Sequence, residues 1–310
     1  MKEFIINSND AGQRLDKFIE KATSGMPKSL IYKSLRTKKI KVNRKRAEPN
    51  YILQKGDSVL MFIKEEFFST SDPDAYFLTL TPRVDIVHED DDIILVNKPM
   101  GVSCIPDERE DRDTLINHIK AYLYRKGEYD PEAENSFAPA LCNRIDRNTC
   151  GIVIAAKNAE SLRKINEDIK YRRIDKKYLC IVHGIPKSKS GILEGYLIKD
   201  SKTNTVKVFD TKPKYGDAKS IKTGYRVLSS KKGISLVEVE LFTGRTHQIR
   251  AHMAHIGHPL LGDGKYGINK EDKKLGFKYQ ALCSYSTTID EKEYKIEPSR
   301  IWFVEEYNNI

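Results

Sequence analysis

One carboxylate set between two arginines is the sharpest chemical feature of the sequence. It lies in Asn143-Arg144-Ile145-Asp146-Arg147-Asn148-Thr149-Cys150-Gly151, which runs straight into the apolar Ile152-Val153-Ile154-Ala155-Ala156. Opposite charge within a few ångströms favours the ionised carboxylate, and a loop at a strand edge can present it to a pocket. The same arrangement also describes a structural ion pair, and the residues alone leave the two readings open. A second cluster is dense in polar side chains: Thr243-Gly244-Arg245-Thr246-His247-Gln248-Ile249-Arg250-Ala251-His252, continuing to His258-Pro259-Leu260-Leu261-Gly262-Asp263. Gly244 marks a turn from strand to helix, Ile249, Met253 and Ile256 give the helix a buried stripe, and Arg245 falls at its start, facing a neighbouring loop. Helix packing explains the apolar residues but not so many donors together.

The elements that must position these groups follow from periodicity. Leu15, Phe18 and Ile19 recur at helical spacing from Gln13 to about Glu20, and Pro27 opens a second helix carrying Leu30, Ile31 and Leu35. Ile40 to Ala47 and Ser58 to Ile63 read as strands, with a Lys55-Gly56-Asp57 turn before the second. Residues 66 to 82, with Ser69-Thr70-Ser71-Asp72-Pro73 and Pro82, read as a linker. Beyond it, Val84 to His88 and Ile93 to Lys98 flank an acidic turn as a hairpin, and Thr114 to Arg125 forms a helix. Asn158 caps a helix running through Ile169. Lys177 to Val182 and Ile234 to Phe242 are strands, the latter alternating Val237, Val239 and Leu241 with Glu238 and Glu240. Strands in pairs with irregularly placed helices favour an α+β domain on a largely antiparallel, mixed sheet over a doubly wound fold. The expected division is 1–65, a small α+β unit; 66–82, the linker; and 83–310, the larger domain.

Charge narrows the partner. The 310 residues carry a formal net charge of +10, which concentrates polyanions by long-range attraction and counterion release. Nine cations and no acid lie between residues 28 and 46: Lys28, Lys33, Arg36, Lys38, Lys39, Lys41, Arg44, Lys45 and Arg46. A solvated charged face is the plain alternative, but the lack of compensating acids favours contact with nucleic acid, RNA being the expectation. No apolar run approaches the ~20 residues that span a bilayer, and the first ten residues lack the regions of a signal peptide, so no membrane partner is expected. Five widely spaced cysteines without a Cys-x-x-Cys suggest neither a disulfide framework nor a zinc site, and fit a reducing, cytoplasmic setting. His247, His252, His255 and His258 lack a His-Glu-x-x-His pattern and partner cysteines, so RNA contact or capping is expected of them before metal binding.

The order of helix, helix, Lys39-Ile40-Lys41-Val42-Asn43 and a Gly-Asp turn into an apolar strand resembles the S-four-type RNA-binding domain over about Gln13 to Ile63. Further on, the Asp146 segment, Lys177-Tyr178-Leu179-Cys180-Ile181-Val182-His183-Gly184 and Thr243 to His252 resemble, in order, the signature motifs of the RluA/RluC/RluD family of pseudouridine synthases. Asn97-Lys98-Pro99-Met100-Gly101-Val102 resembles that family's opening strand and turn. Asn143 stands where the commonest form, His-Arg-Leu-Asp-x-x-Thr-Ser-Gly, has its histidine, and Cys150 where it has serine.

The resemblance implies isomerisation of uridine in structured RNA, most of all large-subunit ribosomal RNA, with transfer RNA open. The base must leave ribose carbon one, rotate and rejoin through its carbon five, with no redox step and no metal or organic cofactor. Asp146 would supply the carboxylate, Arg245 would pair with it, and Tyr178 would lie against the base, as proton acceptor or stacking partner. Arg144 would act near the nucleotide or its phosphate. Flipping the uridine out of its stack costs a few kcal/mol, and the basic N-terminal unit would help offset it. A monomer is expected. The competing class is a non-catalytic RNA-binding or ribosome-assembly factor, which would have no need of Asp146, Tyr178 and Arg245 together.

Overall fold

Two helices and three short strands account for the N-terminal unit in the computed structural model, which describes residues 1–68, 73–106, 112–200 and 202–309. In chain order they are β1 (Lys2–Ile5), α1 (Leu15–Ala22), α2 (Lys28–Arg36), β2 (Ile40–Val42) and β3 (Ser58–Met61). The strands form an antiparallel sheet in the order β1-β3-β2. The helical spacing does what it predicts: Leu15, Phe18, Ile19, Ile31 and Leu35 are buried together against Phe4, Val59 and Met61 of the sheet. The strand expected over Ile40 to Ala47 stops at Val42, because Asn43 and Arg44 take left-handed φ values of 50° and 62°. The Asn43 side chain locks that reversal by accepting from Ser58 N–H at 2.9 Å and donating to Asp57 at 2.8 Å. Arg44, Lys45 and Arg46 therefore stand exposed on a tight turn rather than along a strand.

The Ser69-Thr70-Ser71-Asp72 stretch of the expected linker lies outside the described residues. Its later part is not a free connector: Phe77, only 1% exposed, is packed in the core of the larger domain near the rings of Tyr124 and Tyr129. The N-terminal unit is also tied directly to that domain. Asp10, fully buried, accepts from Ser136 Oγ at 2.6 Å and Asn135 Nδ2 at 2.7 Å, and Asn9 donates to Glu134 at 2.6 Å.

The larger domain is built on β4 (Ile86–Glu89), β5 (Ile93–Lys98), β6 (Ala140–Leu141), β7 (Cys150–Ala156), β8 (Asp175–His183), β9 (Ser190–Asp200), β10 (Thr205–Phe209), β11 (Lys219–Lys231), β12 (Ile234–Leu241), β13 (Leu282–Ile289) and β14 (Lys292–Lys295). Its helices are α3 (Leu115–Lys126), α4 (Ala159–Lys170), α5 (Gln248–His255), α6 (Asn269–Lys274) and α7 (Trp302–Asn309). The 11-stranded sheet runs β10-β9-β11-β12-β8-β13-β7-β5-β4, with β14 on β13 and β6 on β7. Every pair is antiparallel except β13 with β7, so the α+β, largely antiparallel mixed sheet is the fold. The parallel pair is close. Gly151 has φ +116°, and a Cβ there would lie 2.3 Å from the Ser284 carbonyl oxygen, so only glycine fits. No helix among the described residues is long and apolar enough to cross a membrane.

Candidate active site

Asp146 sits in the loop between β6 and β7, and β7, buried along its whole length, fixes the far end of that loop. Three anchors hold the loop. Asn143 Oδ1 accepts from Ile154 N–H at 2.8 Å, which gives the residue that departs from the common histidine a structural task. The Asp146 carbonyl accepts from Thr149 N–H at 3.0 Å. Lys98, fully buried at the end of β5, donates to the carbonyls of Pro99 and Val102 at 2.8 Å and of Arg147 at 3.0 Å, clamping the turn after β5 to the loop. Burial lowers the Lys98 ammonium to about 8, and three carbonyl acceptors satisfy its three protons.

The arginine that meets Asp146 is Arg250, not Arg245. Arg250 Nη1 donates to Asp146 Oδ2 at 2.7 Å, while its Nε and Nη2 donate to Asp263 at 2.7 and 2.8 Å. Arg250 is 5% exposed and Asp263 fully buried. Burial works against the Asp263 charge, yet the Arg250 fork outweighs it and holds the carboxyl below its ordinary range. The helix α5 starts at Gln248, so Arg245 lies in the turn before it. That turn is fastened by Gln248, whose Oε1 accepts from Arg245 N–H at 3.1 Å and whose Nε2 donates to Thr223 Oγ1 at 2.9 Å. The Arg245 guanidinium is exposed at the edge of the cleft, as is that of Arg144. The cue that separates the two arginines is the true start of α5: Arg250 lies inside the helix beside its buried Ile249, whereas Arg245 precedes His247, whose left-handed φ of 53° comes just before the helix.

Asp146 and Tyr178 line one cleft of about 1290 Å³, together with Arg144, Arg245, His247 and Arg250. The Asp146 side chain keeps 28% of its surface open. Tyr178 is buried on β8, and that burial pushes its phenol up to about 12. His247 Nε2 stands 3.7 Å from Asp146 Oδ2, and its Nδ1 is 2.9 Å from the Tyr266 hydroxyl. Burial lowers the His247 ring to about 4, so it is uncharged at neutral pH. The other histidines of the cluster go elsewhere: His252 to Thr223 at 3.0 Å, His255 to Asp210 at 2.8 Å, and His258 to the His183 carbonyl at 2.9 Å. Among the described residues, no group of three or more histidine, cysteine, aspartate or glutamate side chains is placed to hold a metal ion.

Of the N-terminal cations, all but the half-buried Lys41 are exposed. Lys28 reaches Glu20 at 3.4 Å and Arg46 reaches Glu48 at 3.3 Å. Lys33, Arg36, Lys38, Lys39, Arg44 and Lys45 have no ion pair among the described residues.

A carboxylate held by a buried arginine shares its cleft with a buried tyrosine, and comparison with known proteins gives that arrangement its class. Residues 92–255 match the RNA pseudouridylate synthase family and residues 13–59 match the S4 domain. The chain belongs to the RNA pseudouridylate synthase family and is an isomerase. It is 31% identical to an uncharacterised RNA pseudouridine synthase of Mycoplasma genitalium, over 99% of this chain and 93% of that one. With the ribosomal large subunit pseudouridine synthase C of Escherichia coli the identity is 30%, over 89% of this chain and 82% of that one. The solved structure of the human RNA pseudouridylate synthase domain containing 4 shares the fold with a TM-score of 0.58 at 22% identity, covering 72% of this chain and 92% of that one.

Proposed function

We propose that Asp146 is the carboxylate acting at the ribose of a uridine flipped out of structured RNA, with large-subunit ribosomal RNA as the substrate. The observation that carries the site is the Arg250 to Asp146 pair at 2.7 Å, opening on the cleft that Tyr178 also lines. Arg250, braced by Asp263, keeps Asp146 aimed. Tyr178 lies against the detached uracil; a phenol pushed to about 12 stays protonated at neutral pH, which favours stacking and hydrogen bonding over proton abstraction. Arg144 and Arg245 meet the phosphates at the mouth of the cleft, and the cations from Lys28 to Arg46 dock the surrounding RNA. Residues 1–65 are the docking unit and 83–310 the catalytic one.

Ribosomal RNA is favoured because the relatives named for the large ribosomal subunit align over most of the chain. We place the enzyme in the cytoplasm, as a monomer that uses no cofactor. Asp146→Asn removes the charge and keeps the shape, so RNA binding should survive while release of tritium from uridine carbon five is abolished. A variant keeping more than a few per cent of the wild-type rate would move the chemistry elsewhere. Mapping pseudouridines in total RNA with and without the gene identifies the substrate, and a site lost from transfer RNA alone would overturn the ribosomal assignment.

A further inference from the structure

The cleft continues beyond Asp146. It runs past Cys142 to the end of α4 and the start of β8, where Lys170, Arg172 and Lys176 stand in its far wall. Lys176 lies two residues before Tyr178, so strand alternation puts both side chains on one face, and both line the cleft. Arg172 is exposed at the rim, on a left-handed turn with φ 60°.

Two lysines near the site invite comparison. Lys98 and Lys176 are both lowered to about 8 by burial. Lys98 answers that cost with three carbonyls, as a structural lysine does. The Lys176 ammonium has no hydrogen bond or ion pair with any described residue, and neither has the Arg172 guanidinium. The titratable side chain whose charge reaches Lys176 is the Cys142 thiol, and burial pushes that thiol up to about 12, so it brings no negative charge at neutral pH. A partly buried cation without an internal acceptor is stabilised by an anion that arrives with the ligand. The ligand of this enzyme is RNA, and its anions are phosphodiesters.

We infer that Lys176, with Arg172 at the rim, forms a phosphodiester-binding subsite for the RNA strand adjoining the nucleotide held at Asp146. This rests on Asp146 marking the place of the reacting uridine. An ammonium serves as a compact point charge for a phosphate, and the neighbouring Ile169 and Ile174 offer the sugar an apolar wall.

The test uses the full-length protein and in vitro transcribed large-subunit ribosomal RNA labelled with tritium at uridine carbon five, comparing Lys176→Met and Lys176→Arg with wild type. The Met variant should raise the half-saturating RNA concentration about tenfold, with the loss falling there rather than on the saturated single-turnover rate. Its binding should lose about 0.7–0.9 from the slope of log affinity against log salt, one phosphate contact. The Arg variant should restore both. Loss of the saturated rate in both variants would make Lys176 a proton acceptor, since a guanidinium cannot take that role, and would overturn the inference. Unchanged affinity and slope in the Met variant would do the same. The salt slope needs no turnover, so it decides the subsite even if this transcript is not the substrate, and Asp146→Asn turnover tests the parent reading separately.

Discussion

Arg250 and the basic N-terminal face use the same kind of charge in opposite ways. Arg250 is buried, forked between Asp146 and Asp263, and held to one geometry. The cations from Lys33 to Lys45, all but Lys41 exposed, stand on long flexible stems, most without an ion pair among the described residues. The first arrangement concentrates its effect in one side chain, and the second spreads it over many. Failure of the first should be abrupt, whereas the second should weaken step by step and in proportion to salt.

The largest expected effect is therefore at Arg250. Arg250→Met strands two carboxylates, one of them fully buried, and breaking such a pair costs about 3–5 kcal/mol of stability. Misplacing Asp146 should also lower the single-turnover rate by ~100-fold or more. Asp263, which the Arg250 fork holds below its ordinary range, should titrate higher without its cation, so the stability lost on acidification should begin at higher pH than in the wild type. Arg250→Lys should recover part of the rate, because charge returns without the fork. Urea unfolding across pH and single-turnover kinetics read these changes. Near-wild-type behaviour of Arg250→Met would erase the contrast between buried and open cations.

Neutralising Lys33, Arg36 and Lys39 together comes next. Binding to structured RNA should weaken, and its salt slope should drop by about 2–3, with the saturated rate kept. A slope that does not move would show that this face is not the docking surface. Smaller still is Lys38→Ala alone, which should change unfolding free energy by less than about 0.5 kcal/mol and the salt slope by at most about one contact. Chemical denaturation and a salt titration of RNA affinity measure the two changes.

Acid sensitivity sharpens the comparison from the buried side. His252 is 2% exposed, and burial lowers its ring to about 4, against about 6.5 in an unfolded chain. The unfolded state thus binds more protons between those values, so stability should fall as pH drops from about 6.5 toward 4. His252→Gln should flatten part of that slope in melting curves taken across the window, His247 supplying the remainder. An unchanged slope would show that His252 is not held neutral.

Much of this was legible from residue spacing. The helical stripes of the N-terminal unit, the hairpin of β4 and β5 and the alternation along β12 follow from periodicity. So does the Asn158 cap, which accepts from Ser161 N–H at 2.8 Å. Asp146 was legible because an apolar run begins just after it. Its partner was not, since Arg245 and Arg250 are the same residue type five positions apart and only the true start of α5 tells them apart. The arm of β9, β10 and β11 was hidden because its strands leave apolar residues open to solvent, Ile192 being 60% exposed, so burial alternation is blurred. The segment holding Lys98 was legible as an opening strand and turn, but the task of the lysine was not, since a lysine before a proline looks like surface until its three carbonyl acceptors are located.

The parallel pairing of β7 with β13 sets a timetable. Cys150 and Leu282, in contact across that seam, are 132 residues apart in sequence, whereas the N-terminal unit closes on itself within its first 61 residues. On a chain emerging from the ribosome at about 5–20 residues per second, the N-terminal unit can form early. The strand that backs the Asp146 loop arrives only after α5 and Asp263 have been made. Long-range closure of this kind is slow, so on the proposed division of roles a nascent chain would grip RNA well before it could modify it.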